Sequence, residues 1–77
     1  MSLIELKKGQ LATIKHLDHL SDHKALLMGL GLLPGDTIQI IAPSIFGSPV
    51  TIQKGESILA MRTHQAKLIQ VDIIEAI

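Results

Sequence analysis

The chain has 77 residues, seven basic against seven acidic, no cysteine, tyrosine or tryptophan, and a single phenylalanine. That length allows one domain with a thin core, since a domain this small buries only about 60% of the surface its unfolded chain exposes. Zero net charge and one aromatic ring exclude the basic footprint and stacking platform of a nucleic-acid binder, and the lack of cysteine excludes disulfides and thiolate metal sites. In chain order, Leu3–Leu6 is an apolar lead-in that stops at Lys7-Lys8-Gly9. Residues 10–17 alternate Ala12 and Ile14 with Thr13 and Lys15, which predicts a half-buried strand ending near Leu17. A polar loop follows over residues 16–20. Ser21 then fits the N-cap of a short helix running from Asp22 to about Leu30, with Asp22 in its first turn and Gly29 and Gly31 as stop signals. Leu26, Leu27 and Leu30 share one arc of that helix, and Ala25 and Met28 fall outside it. The helix is therefore apolar over more of its surface than one-sided packing needs.

Pro34-Gly35 fits the centre of a type II turn, because proline presets φ and glycine accepts the positive φ that follows. The next strand begins at Asp36 and carries Ile38 and Ile40 on one face and Thr37, Gln39 and Ile41 on the other. A loop bounded by Pro43 and Pro49 contains Ile45, Phe46 and Gly47. Val50 and Ile52 alternate with Thr51 and Gln53, and Lys54-Gly55 reads as a tight hairpin turn. The following strand has Ile58, Ala60 and Arg62 on one face and Leu59 and Met61 on the other. Thr63 is expected to cap a single helical turn over residues 64–67, before a last strand through Ile69, Val71 and Ile73. About five short strands with one inserted helix predict a mainly β domain, a small partly open barrel. Periodicity does not separate a Src-homology-3-like (SH3-like) barrel from an OB-type one.

No segment reads as transmembrane. The longest run without a polar side chain, residues 25–35, is about half of the ~20 residues that span a bilayer. The N-terminus lacks the pattern of a signal peptide, and no direct membrane insertion is expected. With 47% hydrophobic residues on so short a chain, some apolar surface is expected to remain uncovered and to mark a partner site.

The stretch Leu27-Met28-Gly29-Leu30-Gly31-Leu32-Leu33-Pro34-Gly35, followed by Ala42-Pro43, Gly47-Ser48-Pro49 and Arg62, resembles the ferrous iron transport protein A (FeoA) family. The family pattern reads roughly L-x-x-L-G-hydrophobic-x-P-G, then A-P, G-D-P and a late L-R. Leu27, Leu30, Gly31, Pro34, Gly35, Ala42, Pro43, Gly47, Pro49 and Arg62 match it. Ser48 stands where the family has Asp, Ser44 and Ile45 lengthen the loop by about two residues, Met61 replaces Leu, and Leu26 occupies a place that is often polar. The resemblance implies an SH3-like barrel with an inserted helix. It also implies a small cytoplasmic regulator of ferrous iron uptake, associated with the inner membrane through FeoB, a permease with a cytosolic GTP-binding domain. Similar domains form the C-terminal part of some metal-dependent repressors.

Leu26, Met28, Ile45, Phe46 and Arg62 are the candidate contacts to that partner. Arg62 has an internal alternative, a bidentate contact to an acidic side chain of its own chain. His16, Asp18, His19, Asp22 and His23 fall within eight residues. His19 and His23, four apart, are the candidate ligands for a transition metal ion, iron or zinc, against the plainer reading of a solvated loop. No cofactor is required by the docking reading. The apolar residues 73–77 offer a third reading, self-association into a homo-oligomer. There is no phosphate-binding loop, no cysteine nucleophile and no credible catalytic constellation, so enzymatic activity is not expected.

Overall fold

The computed structural model describes residues 1–17 and 28–75. The apolar lead-in forms a single 3₁₀ turn, Leu3–Glu5, in which the Ser2 N–H donates to Glu5 Oε2 at 2.7 Å. Leu3 and Leu6, three residues apart, both point into the core. The strands are β1 (Leu11–Leu17), β2 (Thr37–Ala42), β3 (Val50–Lys54), β4 (Ser57–Met61) and β5 (Ile69–Glu75), with one helical turn, α1 (Thr63–Ala66), before β5. All pairings are antiparallel and the sheet order is β4-β3-β2-β1-β5.

The alternating residues settle as their period requires. Ala12 and Ile14 of β1, Ile38 and Ile40 of β2, Val50 and Ile52 of β3, and Ile69 and Val71 of β5 are buried together with Leu3, Leu6, Leu32, Met61 and Ala66. Fully burying one Val or Ile side chain stabilises the fold by roughly 1.5–3 kcal/mol. No polar side chain is buried among the described residues. Register shifts interrupt the β1–β5 ladder in two places and the β2–β3 ladder in one. Such bulges bend and twist a strand, which lets short strands wrap one core.

Two local expectations shift. The hairpin turn after β3 is Gly55-Glu56, not Lys54-Gly55: Lys54 pairs with Ser57 as the last residue of β3. Gly55 has φ 59° and Glu56 has no positive φ, which makes a type II′ turn. The N-cap of α1 is Arg62 rather than Thr63, because the Arg62 N–H finds its acceptor in Gln65 Oε1 at 3.0 Å. In β4 the buried face is Met61 with part-buried Leu59, while Ile58 is 64% exposed. Of the helix expected over residues 22–30, only the end lies among the described residues. Met28 and Gly29 are helical, and the chain leaves the helix through Gly31 at φ 86°.

Candidate functional site

Among the described residues, the Leu33–Asp36 turn is the most heavily bonded loop. The Asp36 N–H donates to the Leu33 carbonyl at 3.1 Å, and Gly35 has φ 95°, as the Pro34-Gly35 pair predicts. The turn is fixed to β1 by Gly35 N–H to Ile14 O at 2.7 Å and Ile14 N–H to Asp36 O at 2.8 Å. Asp36 Oδ2 accepts the Leu33 N–H at 2.8 Å and lies 2.8 Å from Lys54 Nζ, which also donates to the Gly31 carbonyl. The Lys54 hydrogen bond first, and the Leu33 N–H second, hold the Asp36 carboxyl below the usual carboxylate range, against a smaller opposing effect of burial. One ion pair thus ties the end of the helix, the turn and the end of β3 together. Neither Asp36 nor Lys54 was expected from the sequence to do this. Their only sequence signal is the opposite charge of two residues that flank predicted strands.

The loop at the other end of β2 is built differently. Ile45-Phe46-Gly47-Ser48 is a second tight turn, closed by Ser48 N–H to Ile45 O at 3.1 Å. Phe46 has φ 53° and Gly47 has φ 79°, the two positive values of a type I′ turn. The Ser48 hydroxyl accepts the Ile45 N–H at 2.9 Å. Phe46 is the only non-glycine described residue with positive φ, and its ring is fully exposed. Ile45 beside it is 60% exposed. Left-handed backbone costs a side-chain-bearing residue about 1–2 kcal/mol. No burial within the described residues offsets that cost.

The remaining candidates divide between these ends. Arg62 follows Met61, which pairs with Val50, so it lies beside the 43–49 loop. It is exposed, and no carboxylate among the described residues is within ion-pair distance. Met28, 47% exposed, is one turn from Gly31 and so belongs to the Lys54 end of β3. Six residues of β2 separate the two ends, roughly 16 Å of strand. Met28 and Phe46 therefore do not share one patch. Leu30 and Leu33 are exposed beside Met28. Of the family motif, Gly31, Gly35 and Gly47 all take positive φ, Ala42 ends β2, and Pro43 and Pro49 frame the loop. Leu26, Leu27, His19 and His23 lie outside the described residues. Among the described residues, no group of three or more His, Asp or Glu is placed to hold a metal ion. A shallow depression of about 260 Å³ is lined by Leu11, Thr37, Ile38, Gln39, Gln53 and Gly55 and contains no titratable side chain.

The family model for the FeoA domain matches residues 1–73. A Campylobacter jejuni relative that carries the provisional name Fe(2+) transport protein A is 30% identical over 74 residues, spanning 96% of this chain and all of that protein. The solution structure of iron(II) transport protein A from Clostridium thermocellum superposes with a TM-score of 0.88 at 31% identity, covering 96% of this chain and 46% of that one. A crystal structure of an iron uptake regulatory protein, FeoA, gives a TM-score of 0.85 at 24% identity, covering 96% of each chain. The five-stranded antiparallel sheet is thus the small SH3-like β domain of those structures. The chain belongs to the FeoA domain family, the family of ferrous iron transport.

Proposed function

We propose that this domain is a small, non-catalytic regulator of ferrous iron uptake that docks on the cytosolic part of the FeoB permease through its 43–49 loop. The observation that carries the reading is Phe46, a fully exposed ring held at φ 53° on the tip of a closed turn. A strained and solvent-exposed aromatic loses free energy twice in the free domain. Both losses are offset when a partner's apolar pocket receives the ring, which is how aromatic anchors act in interfaces. Ile45 widens the anchor. The names of the relatives, iron(II) transport and iron uptake regulation, supply the process. Docking would shift the permease only by the difference in affinity between its conformations, so the domain needs no chemistry and no cofactor of its own. Its place is then the cytoplasmic face of the inner membrane, held there by the partner. No helix among the described residues is long and apolar enough to cross a membrane.

The test is titration of the full chain into the isolated cytosolic domains of the cognate permease, with and without ferrous iron. Saturable binding without added metal is expected, and Phe46→Asp should weaken it about tenfold or more. Unchanged affinity in Phe46→Asp would remove the loop from the interface. Binding that needs iron and is lost in the His19→Ala, His23→Ala double variant would put metal sensing by those histidines in place of constitutive docking.

A further inference from the structure

The sheet has two edges, β4 and β5, and among the described residues only one is protected. Along β5 the outer edge is partly covered by the N-terminus: Ser2 bridges Gln70, and the Val71 N–H donates to the Met1 carbonyl at 2.9 Å. Its ladder with β1 is bulged twice, and Asp72 places a charge along it. Each of these devices discourages further strand pairing. β4 has none of them. Ser57-Ile58-Leu59-Ala60-Met61 holds no charge and no proline, and its ladder with β3 runs without a register shift. Among the described residues nothing bonds to its outer side.

The register of the hairpin fixes what that outer side offers. A two-residue turn makes its flanking residues, Lys54 and Ser57, a mutually hydrogen-bonded pair, and the pattern alternates from there. Ser57, Leu59 and Met61 therefore turn their backbone groups toward β3. Ile58 and Ala60 turn theirs outward, two N–H and two C=O groups with no acceptor or donor from the described residues. An unprotected edge of this kind is a template for another strand.

We infer that β4 pairs with β4 of a second copy of this chain, antiparallel, about a two-fold axis through Leu59. This interface is independent of the permease-docking loop. In that register Ile58 of each copy faces Ala60 of the other, and their outward groups form four backbone hydrogen bonds. A large side chain meets a small one on the solvent face, and Leu59 meets Leu59. One step further out, Glu56 of each copy faces Arg62 of the other. Both are exposed, and neither has an ion-pair partner among the described residues. Other two-fold registers that keep Ile58 and Ala60 as the bonding residues oppose Ile58 to Ile58 or Ala60 to Ala60 and lose the Glu56–Arg62 match. Charge, side-chain size and hydrogen-bond parity thus select one self-complementary arrangement, an isologous dimer with one continuous ten-stranded sheet. Arg62 serves this contact rather than the permease.

Sedimentation of the full chain from micromolar to millimolar concentration tests the dimer, with folding of each variant checked by its amide NMR dispersion. The wild-type chain is expected to dimerise reversibly. Glu56→Arg and Arg62→Glu, both surface changes, should each weaken self-association about tenfold or more by placing like charges opposite each other. Mixing the two single variants should restore dimers between them, and the E56R/R62E double variant should dimerise with itself again. Ile58→Lys, also at an exposed position, should be monomeric. A wild-type chain that stays monomeric throughout overturns the proposal. So does a single charge reversal that associates as tightly as wild type, or a mixture that does not recover the dimer.

Discussion

Two turns bracket β2, closed by the same two bonds yet held in opposite ways. In each, the N–H of the fourth residue donates to the carbonyl of the first, and a side chain on the fourth residue takes the N–H of the first: Asp36 for Leu33, Ser48 for Ile45. The Leu33–Asp36 turn then goes further. It bonds to β1 through Gly35 and Asp36, and its carboxylate reaches Lys54. Its positive φ falls on glycine. The Ile45–Ser48 turn makes no described backbone bond beyond itself, and it puts Phe46 where glycine would be unstrained. One turn is part of the scaffold, and the other uses its scaffold to present a ring. Bonding outward, rather than internal closure, is what tells them apart.

The largest effect that separates the turns is expected at their fourth residues. Asp36→Ala should cost on the order of 2 kcal/mol, because it takes the counter-charge from part-buried Lys54, which keeps only its bond to the Gly31 carbonyl, and frees the Leu33 N–H together. Ser48→Ala removes one exposed, local bond and should cost about 0.5–1 kcal/mol. Urea denaturation measures both, and equal costs would erase the distinction. The glycines come next. Gly35→Ala forces a side chain to φ 95° in a turn that cannot move, and should cost about 1–2 kcal/mol. No heavy atom outside its chain neighbours lies within 4 Å of the added Cβ, so the cost is backbone strain alone. Gly47→Ala meets the same open space at φ 79°, but its unanchored turn relaxes and the cost should be smaller.

A smaller difference should appear with pH. The Asp36 carboxyl is lowered from its ordinary value of 3.8 in the folded state. A depressed acid adds stability that is fully present above the unfolded-state value and is lost as the pH falls through the folded-state value. Wild-type stability should therefore decline from about pH 4 downward more steeply than that of Asp36→Asn. Parallel acid limbs in the two unfolding series would show that Asp36 is not the group responsible. The decline should be steeper at low salt than at high, since the Lys54 pair is part-exposed and screened.

Much of the fold was legible because it is local. Ile38 and Ile40, Val50 and Ile52, and Ile69 and Val71 alternate with neighbours that, Ile41 apart, are less apolar, and the period assigns their faces. Pro34-Gly35 announces its turn in two residues. β4 resists the same reading: Ile58, Leu59, Ala60 and Met61 are all apolar, so alternation yields two faces without saying which is buried. The N-cap of α1 was displaced because the Gln65 side-chain oxygen, accepting the Arg62 backbone N–H, outweighs the hydroxyl preference that points to Thr63. The Asp36–Lys54 pair was invisible because it joins residues 18 apart through strand register, and no local pattern encodes register. Of the candidate contacts, Ile45 and Phe46 were legible as bulky residues in a proline-bounded loop. Their separation from Met28 was not, since it depends on which ends of β2 the two segments flank.

Phe46→Gly is the smallest expected change in stability and the one that isolates the ring. Glycine takes φ 53° without strain, which stabilises, but it frees the unfolded chain, which opposes that gain by about 0.5–1 kcal/mol. The net should lie between zero and about 1.5 kcal/mol of stabilisation. A ring with no contacts to lose can give no large destabilisation, so a cost above about 1 kcal/mol would mean that Phe46 packs on its own domain in solution. The same variant keeps the turn geometry while removing the anchor. Retained stability with lost permease binding would identify Phe46 as a residue kept in a strained place for its partner. Retained stability with retained binding would leave the strain without a function and move the docking surface toward Met28, Leu30 and Leu33 at the other end of β2.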